Sequence, residues 1–240
     1  MNAPVAAAVL ASRGGPRLAA ALESVSWASE RVVLDPARRL EGEPLPAGVR
    51  RADEPAWAAS TPWLLLIEEH EVVPPPLAES ILETVRGPER FAAYRIGREV
   101  RAFGAVFRPG GAPLRLVRRP GARLWLGGGL SVELRPPWRH AGRLHERLVV
   151  RGPESLAAAV DDIDAEAAAL AALLSWRQLE PRFWHLLVPP LVAGTRAFAA
   201  RGSRAGLWQR WTVTVLAGYR PLVAYAKLWE IRQAKVSALR

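Results

Sequence analysis

Residues 63–72 read WLLLIEEHEV. The run 63–67 (WLLLI) has no polar alternation, the pattern of a strand buried on both faces, as in parallel sheets flanked by helices. It passes directly into Glu68-Glu69-His70-Glu71, and Pro74 to Pro76 then open a predicted helix over 77–85. Upstream, Val5–Leu10 is a second apolar run. Pro16 precedes residues 17–25, where Leu18, Ala21, Leu22 and Val25 fall at helical spacing. Residues 31–34 (RVVL) complete a β-α-β opening of about thirty residues, which favours parallel pairing. Residues 36–62, rich in Pro, Arg, Gly and Glu, read as loop.

Further along, residues 91–96 (FAAYRI) predict a strand. Residues 114–117 and 123–126 predict a strand pair around Pro120-Gly121, and 127–129 (GGG) a flexible turn. The stretch 136–140 (PPWRH) leads to a strand-like run at 144–150 (LHERLVV). Residues 154–176 read as an Ala-rich helix carrying Asp161, Asp162, Asp164 and Glu166. The expected organisation is an α/β domain over residues 1–152 and a helical region over 153–240.

Of 240 residues, 50% are apolar and 23% charged, which excludes disorder as the main state. The absence of Cys excludes disulfides, thiolate metal sites and a Cys nucleophile. The 31 Arg against two Lys, with abundant Ala, Gly and Pro, reflect a GC-rich genome before they reflect function. Of the net charge of +10, most lies in residues 177–240, where eleven Lys and Arg face only Glu180 and Glu230. A near-neutral body with a basic tail seeks anionic surfaces. The first apolar run lacks a preceding basic region and ends in Ser12-Arg13-Gly14-Gly15, so it reads as a buried strand rather than a signal peptide. No stretch of 18 uncharged apolar residues predicts a spanning helix. The expected location is the cytoplasm or the cytoplasmic face of a membrane.

In open α/β sheets, ligands bind outside the carboxyl ends of the strands. Asp35 stands there after the second strand, and Glu68 to Glu71 after the third. A carboxylate and an imidazole at i and i+2 of an extended chain, Glu68 and His70, can reach one divalent cation, which would neutralise a diphosphate leaving group. The alternative is a solvated loop cap. His145-Glu146 is a second pair: Glu146 as general base towards an acceptor hydroxyl, or a surface charge pair with Arg147. In residues 114–119 (LRLVRR), Arg115 and Arg118 form either a phosphate-holding face or the wet face of an edge strand.

In the tail, Leu207, Trp208, Trp211, Val215, Tyr219 and Trp229 interleave with Arg204, Arg210, Arg220, Lys227 and Arg232, mostly at spacings of 3 and 4, with Pro221 as a break. This predicts a pair of amphipathic helices over 204–232 that docks the tail, 204–240, at an anionic bilayer interface, or a helix packed on the body. No RNP signature, zinc finger or helix-turn-helix is present, so nucleic acid is not an expected partner.

Five stretches carry a resemblance: LESVSWASERVVLD (22–35), WLLLIEEHEVVPPPLAESI (63–81), PLRLVRRPGARL (113–124), LHERLVVRG (144–152) and YRPLVAYAKLWEIRQ (219–233). In this order they resemble the inverting family 2 glycosyltransferases, and among them the lipopolysaccharide-core enzymes that add a sugar to inner-core heptose. The resemblance implies a GT-A-like (Rossmann-like), mostly parallel sheet flanked by helices, with a C-terminal amphipathic helical extension. It also implies a nucleotide-sugar donor, a divalent cation (Mn²⁺ or Mg²⁺) and a membrane-borne glycolipid or lipopolysaccharide-core acceptor. By this likeness Asp35 falls where the family binds base or ribose, Glu68 and His70 on the two Asp of its metal-binding Asp-x-Asp, and His145-Glu146 on its His-Glu, with Glu146 as base. The loop at 12–15, the Pro-Ala-Arg-Arg after Asp35 and the Glu-x-His depart from the family pattern. Glu and His suit Mn²⁺ better than Mg²⁺. The likeness therefore allows an active transferase, or a catalytically inactive homologue serving as a membrane-associated binding or scaffold protein.

Overall fold

The computed structural model describes residues 5–35, 38, 40–52, 61–88, 90–108, 111–118, 122–125, 131–134, 141–176, 178–199 and 206–238. The chain is α/β, a sheet flanked by helices. It opens as β1 (Val5–Leu10), α1 (Pro16–Ser24), β2 (Glu30–Leu34), β3 (Val49–Ala52), β4 (Trp63–Glu68), β5 (Glu71–Val72) and α2 (Pro75–Arg86). It continues through β6 (Ala93–Ala102), β7 (Ala105–Phe107), β8 (Leu114–Arg118), β9 (Ala122–Trp125), β10 (Ser131–Leu134) and β11 (Ala141–Arg151). The remainder is helical: α3 (Leu156–Trp176), a 3-10 turn (Phe183–Leu186), α4 (Val188–Phe198) and α5 (Leu207–Ala238).

The main sheet has the order β3-β2-β1-β4-β8-β6-β11-β5, with β7 folded onto β6. Pairs β1–β2, β2–β3, β1–β4 and β6–β11 are parallel. Pairs β4–β8, β6–β8, β6–β7 and β11–β5 are antiparallel. The sheet is thus mixed rather than mostly parallel, because β8 returns from β6 and wedges between it and β4. Glu71 follows Glu68 by three residues, a reach of about 10 Å. Yet β5 lies four strands from β4 in the order, about 19 Å on a flat sheet. The sheet therefore curls until β5 comes back beside the end of β4.

Both faces of the central strands are buried, which is why their sequences lack alternation. Leu18 and Leu22 of α1 and Leu77 and Ile81 of α2 pack on Val9, Ile67, Ile96 and Leu148. On the opposite face Ala6, Ala8, Val32, Leu64 and Leu66 form a second cluster. A third joins Leu170 and Leu174 of α3 to Ala224 and Leu228 of α5.

Four expectations are corrected. The segment read as loop contains β3, an edge strand whose two Arg hid it. The strand expected at 91–96 runs on to Ala102 and turns back as β7. The predicted partners β8 and β9 are both strands, but β8 pairs with β4 and β6 and β9 pairs with β10. The helix pair broken at Pro221 is one helix, α5. A proline inside a helix costs about 3 kcal/mol. Burial of Ala224 and Leu228 against α3 offsets that cost, as does the close approach of Gly218 to α4, where a Cβ would meet the Pro190 carbonyl at 3.0 Å. The expected turn at 127–129 and the stretch 136–140 lie outside the described residues. Among the described residues no helix is long and apolar enough to cross a membrane.

Candidate functional site

The parallel register sets Leu10 beside both Leu34 and Glu68. The next residues, Ala11, Asp35 and Glu69, therefore begin three loops on one rim of the sheet. In an extended chain successive side chains point to opposite sides, and Glu69 turns away from Glu68 towards the β1–α1 loop. Its carboxylate accepts the backbone N–H of Ser12 at 2.8 Å, of Arg13 at 3.0 Å and of Gly14 at 3.0 Å, and the Ser12 hydroxyl at 2.5 Å. Gly14 is required there: it has φ 78°, and a Cβ would lie 2.5 Å from Leu40 Cδ2. Successive N–H groups converging before a helix make a concavity suited to an anion, and here the chain's own Glu69 fills it.

On the other side lies a cluster of seven charged groups. Arg115 donates to Glu68 at 3.0 Å and to Glu71 at 2.8 Å, and Arg98 stands 3.8 Å from Glu71. Arg220 of α5 reaches Glu68 at 3.4 Å and Glu166 of α3 at 3.0 Å. His70 lies between Glu68, at 3.4 Å, and Glu166, at 3.2 Å. Glu71 also accepts the backbone N–H of Glu68 at 2.9 Å, which holds the turn shut. The β6–β8 register skips Arg115, since Tyr94 pairs with Leu116 and Arg95 with Leu114. Arg115 is therefore a bulged residue, re-aimed by the bulge and almost wholly enclosed, at 1% exposure.

Burial disfavours the charges of Glu68, His70, Arg115, Glu166 and Arg220, and their partners reverse that cost. Arg220, Arg115, His70 and Arg98 overcome burial to hold Glu68 well below the usual carboxylate range. Glu166 is likewise lowered against burial, chiefly by Arg220 and His70. Burial would lower His70, but Glu166, Glu68 and Glu71 raise it to about 9. It is an imidazolium at neutral pH, with each ring nitrogen donating towards a carboxylate.

Glu68 and His70 do meet, but as an ion pair. Both donors are already engaged: His70 stands between Glu68 and Glu166, and the Glu68 carboxylate is held by Arg115, Arg220 and His70. This donor set does not fit the divalent cation that the resemblance implies. Among the described residues no group of three His, Asp or Glu is arranged to hold a metal ion.

The other candidates lie elsewhere. Asp35 is buried on the rim, where its carboxylate accepts the Leu40 N–H at 2.8 Å and shapes the loop after β2. Arg118 pairs in register with Trp63, at the start of β4, which puts it at the opposite end of that strand from Glu68. His145 and Glu146 fall in an irregularity of β11: Arg143 pairs with Arg95 and Arg147 with Gly97, so β11 holds two extra residues there. His145 is exposed and Glu146 half-buried. Both line a recess of about 310 Å³ with Pro74, Pro76 and Leu77 at the start of α2.

A separate cleft of about 260 Å³ opens between the carboxyl ends of β6 and β11, α3 and α5. Arg17, His70, Arg98, Arg151 and Arg220 line it, with apolar walls that include Val100, Phe103 and Ile163. It shares no lining residue with the Glu146 recess. Sequence reasoning missed Glu69, Glu166 and Arg220 as site residues. The alternation 68/69/70 signalled the first; nothing local signalled the other two.

The helical region presents an apolar surface. Leu187 is 57% exposed, Leu191 67%, Trp208 86%, Trp211 50% and Val215 63%. Phe198 of α4 touches Trp211 of α5, with ring centres 5.4 Å apart, so the two helices share this face. Comparison with protein-family models and with curated proteins gives no match.

Proposed function

We propose that the chain is an inverting glycosyltransferase on the cytoplasmic face of the inner membrane. It moves a sugar from a nucleotide-sugar donor to a membrane-borne glycolipid or lipopolysaccharide-core acceptor. The observation that carries this is the cationic cleft beside the Glu68–His70 rim, at the carboxyl ends of strands in a mixed α/β sheet, where such folds bind ligands. The sequence resemblance supplies the reaction class.

In this scheme Glu146 takes the proton of an acceptor hydroxyl. The oxygen attacks the anomeric carbon from the face opposite the leaving group. The bond from that carbon to the diphosphate oxygen breaks, and its electron pair leaves on the phosphate. The Arg98 guanidinium, which lines the cleft, takes up part of the developing charge. Glu146 lines a recess that shares no residue with that cleft, so the scheme requires donor and acceptor to bridge the two. The exposed Trp and Leu side chains of α4 and α5, with the surplus of Arg in residues 177–240, suit an anionic bilayer.

A second reading is a catalytically inactive homologue that binds or scaffolds at the membrane. Two observations favour it: Glu69 fills the β1–α1 loop, and Glu146 lines a recess of its own. Transfer from UDP-, GDP-, ADP- and CDP-sugars to extracted core glycolipid separates the two. The enzyme should turn over with one donor, and Glu146→Gln should lower that rate about 10²–10⁴-fold while the thermal shift given by the donor persists. Neither shift nor transfer with any donor would leave the scaffold. The docking half has its own check: Trp208→Ser with Trp211→Ser should release the protein from phosphatidylglycerol vesicles, and unchanged sedimentation would refute it.

A further inference from the structure

The cations that line the cleft between β6, β11, α3 and α5 are matched by carboxylates: Arg17 by Asp162 at 2.6 Å, His70 by Glu166 at 3.2 Å, Arg98 by Glu71 at 3.8 Å and Arg220 by Glu68 at 3.4 Å. Arg151 pairs in register with Arg101, so its side chain belongs to the sheet face away from Arg98 and Val100. What the cleft leaves open is apolar. Arg98, Val100 and Ala102 follow one another on one face of β6, over about 13 Å. α5 lies along the same path: Arg220 is bound at the ionic end, and Gln209, about three turns earlier, donates to the Phe103 carbonyl at 3.1 Å. The cleft thus grades from ion pairs at Arg98 and Arg220 to hydrocarbon at Phe103, with Val150, Ile163, Val213 and Leu216 in its walls.

Phe103 is out of place as a turn residue. Ala102 pairs with Ala105, so Phe103 and Gly104 form a two-residue hairpin loop, with φ 51° and 69°. Such a turn favours Asn-Gly, and a bulky side chain at positive φ is strained. Two bonds from other elements hold it there: its N–H donates to the Pro153 carbonyl at 3.1 Å, and its carbonyl accepts Gln209. Burial does not offset the strain, since Phe103 stays half-buried on the cleft wall. Gln209 stands next to Trp208, which is exposed, so this end of the cleft borders the apolar surface of α4 and α5. We infer that the apolar end of the cleft seats one hydrocarbon chain of a membrane lipid, with the Phe103 ring as its anchor. The chain enters from the bilayer beside Trp208, and Arg98 is left to the donor. The inference deepens the docking part of the proposed function and rests on it only for the source of the chain.

The test is calorimetric titration of the full chain with hexyl, octyl and decyl glucoside below their micelle concentrations, and with glucose. Affinity should rise about fourfold per methylene until the cleft is full, the gain expected for burying hydrocarbon, and glucose should not bind. Phe103→Asn suits the turn better, so its melting temperature should hold or rise, while octyl glucoside should bind at least about tenfold more weakly. Trp208→Ser with Trp211→Ser, at residues that do not line the cleft, should leave that affinity unchanged. Affinity that ignores chain length, that survives Phe103→Asn, or that falls with the Trp pair overturns the inference and leaves docking and transfer standing. A lower melting temperature of Phe103→Asn also overturns it, because the ring would then be a packing residue. Chain binding by a protein that does not sediment with phosphatidylglycerol vesicles upholds the site while the docking proposal fails.

Discussion

Two stretches pair Glu with His, and they meet opposite fates. In residues 68–71 every charged side chain is bound: Glu69 by the β1–α1 loop, Glu68 and Glu71 by Arg115, His70 by two carboxylates. At 145–146 the same residue types sit on a bulged strand, and among the described residues Glu146 has no hydrogen-bond or ion-pair partner. Burial makes the difference. A carboxylate at a curled sheet's inner rim must be paired or neutralised, while one at a half-exposed bulge keeps part of its hydration. Chemistry-bearing residue types alone therefore do not identify a reactive site; the cost of leaving each one unpaired does.

Arg115→Leu should break this contrast most severely. It leaves Glu68 and Glu71 without their shared cation, and a buried pair that loses one partner costs about 3–5 kcal/mol. Urea unfolding measures it; a loss below about 1 kcal/mol would mean that water replaces the guanidinium. Glu69→Gln keeps the shape but removes the charge that three N–H groups and a hydroxyl address, and should cost about 1–3 kcal/mol in the same measurement. Glu146→Gln sharpens the contrast from the other side. Its effect on stability should stay within about 0.5 kcal/mol, so any loss of transfer in that variant is chemical rather than structural.

The sequence displayed β1, α1, β2, β4 and α2 clearly, because apolar runs and helical spacing are local properties. It concealed β3, which has four residues and two Arg, and it showed β8 and β9 as strands while hiding whom they pair with. Pairing is a long-range property. The site behaved the same way. Spacing put Glu68 and His70 within reach of each other, but their neutralisation comes from Glu166 and Arg220, far along the chain on α3 and α5. Antiparallel pairing carries Arg118 to the far end of β4 from Glu68, a placement that only the register reveals.

Stability should carry the cluster's signature in its pH dependence. The folded-state value of His70, about 9, lies above the ordinary 6.5, so its contribution is complete below about 6.5 and disappears as pH rises through 9. Glu68, held low, contributes above its ordinary range, and that contribution is lost on acidification.

The most direct measurement is an NMR titration of the His70 ring, assigned by His70→Gln, with Mn²⁺ added at pH 7. A rim neutralised by its own side chains predicts an imidazolium that titrates near 9 and resonances that substoichiometric Mn²⁺ leaves sharp. A ring that titrates near 6.5 and broadens at once on adding Mn²⁺ would contradict it, and would return Glu68 and His70 to the role of metal ligands.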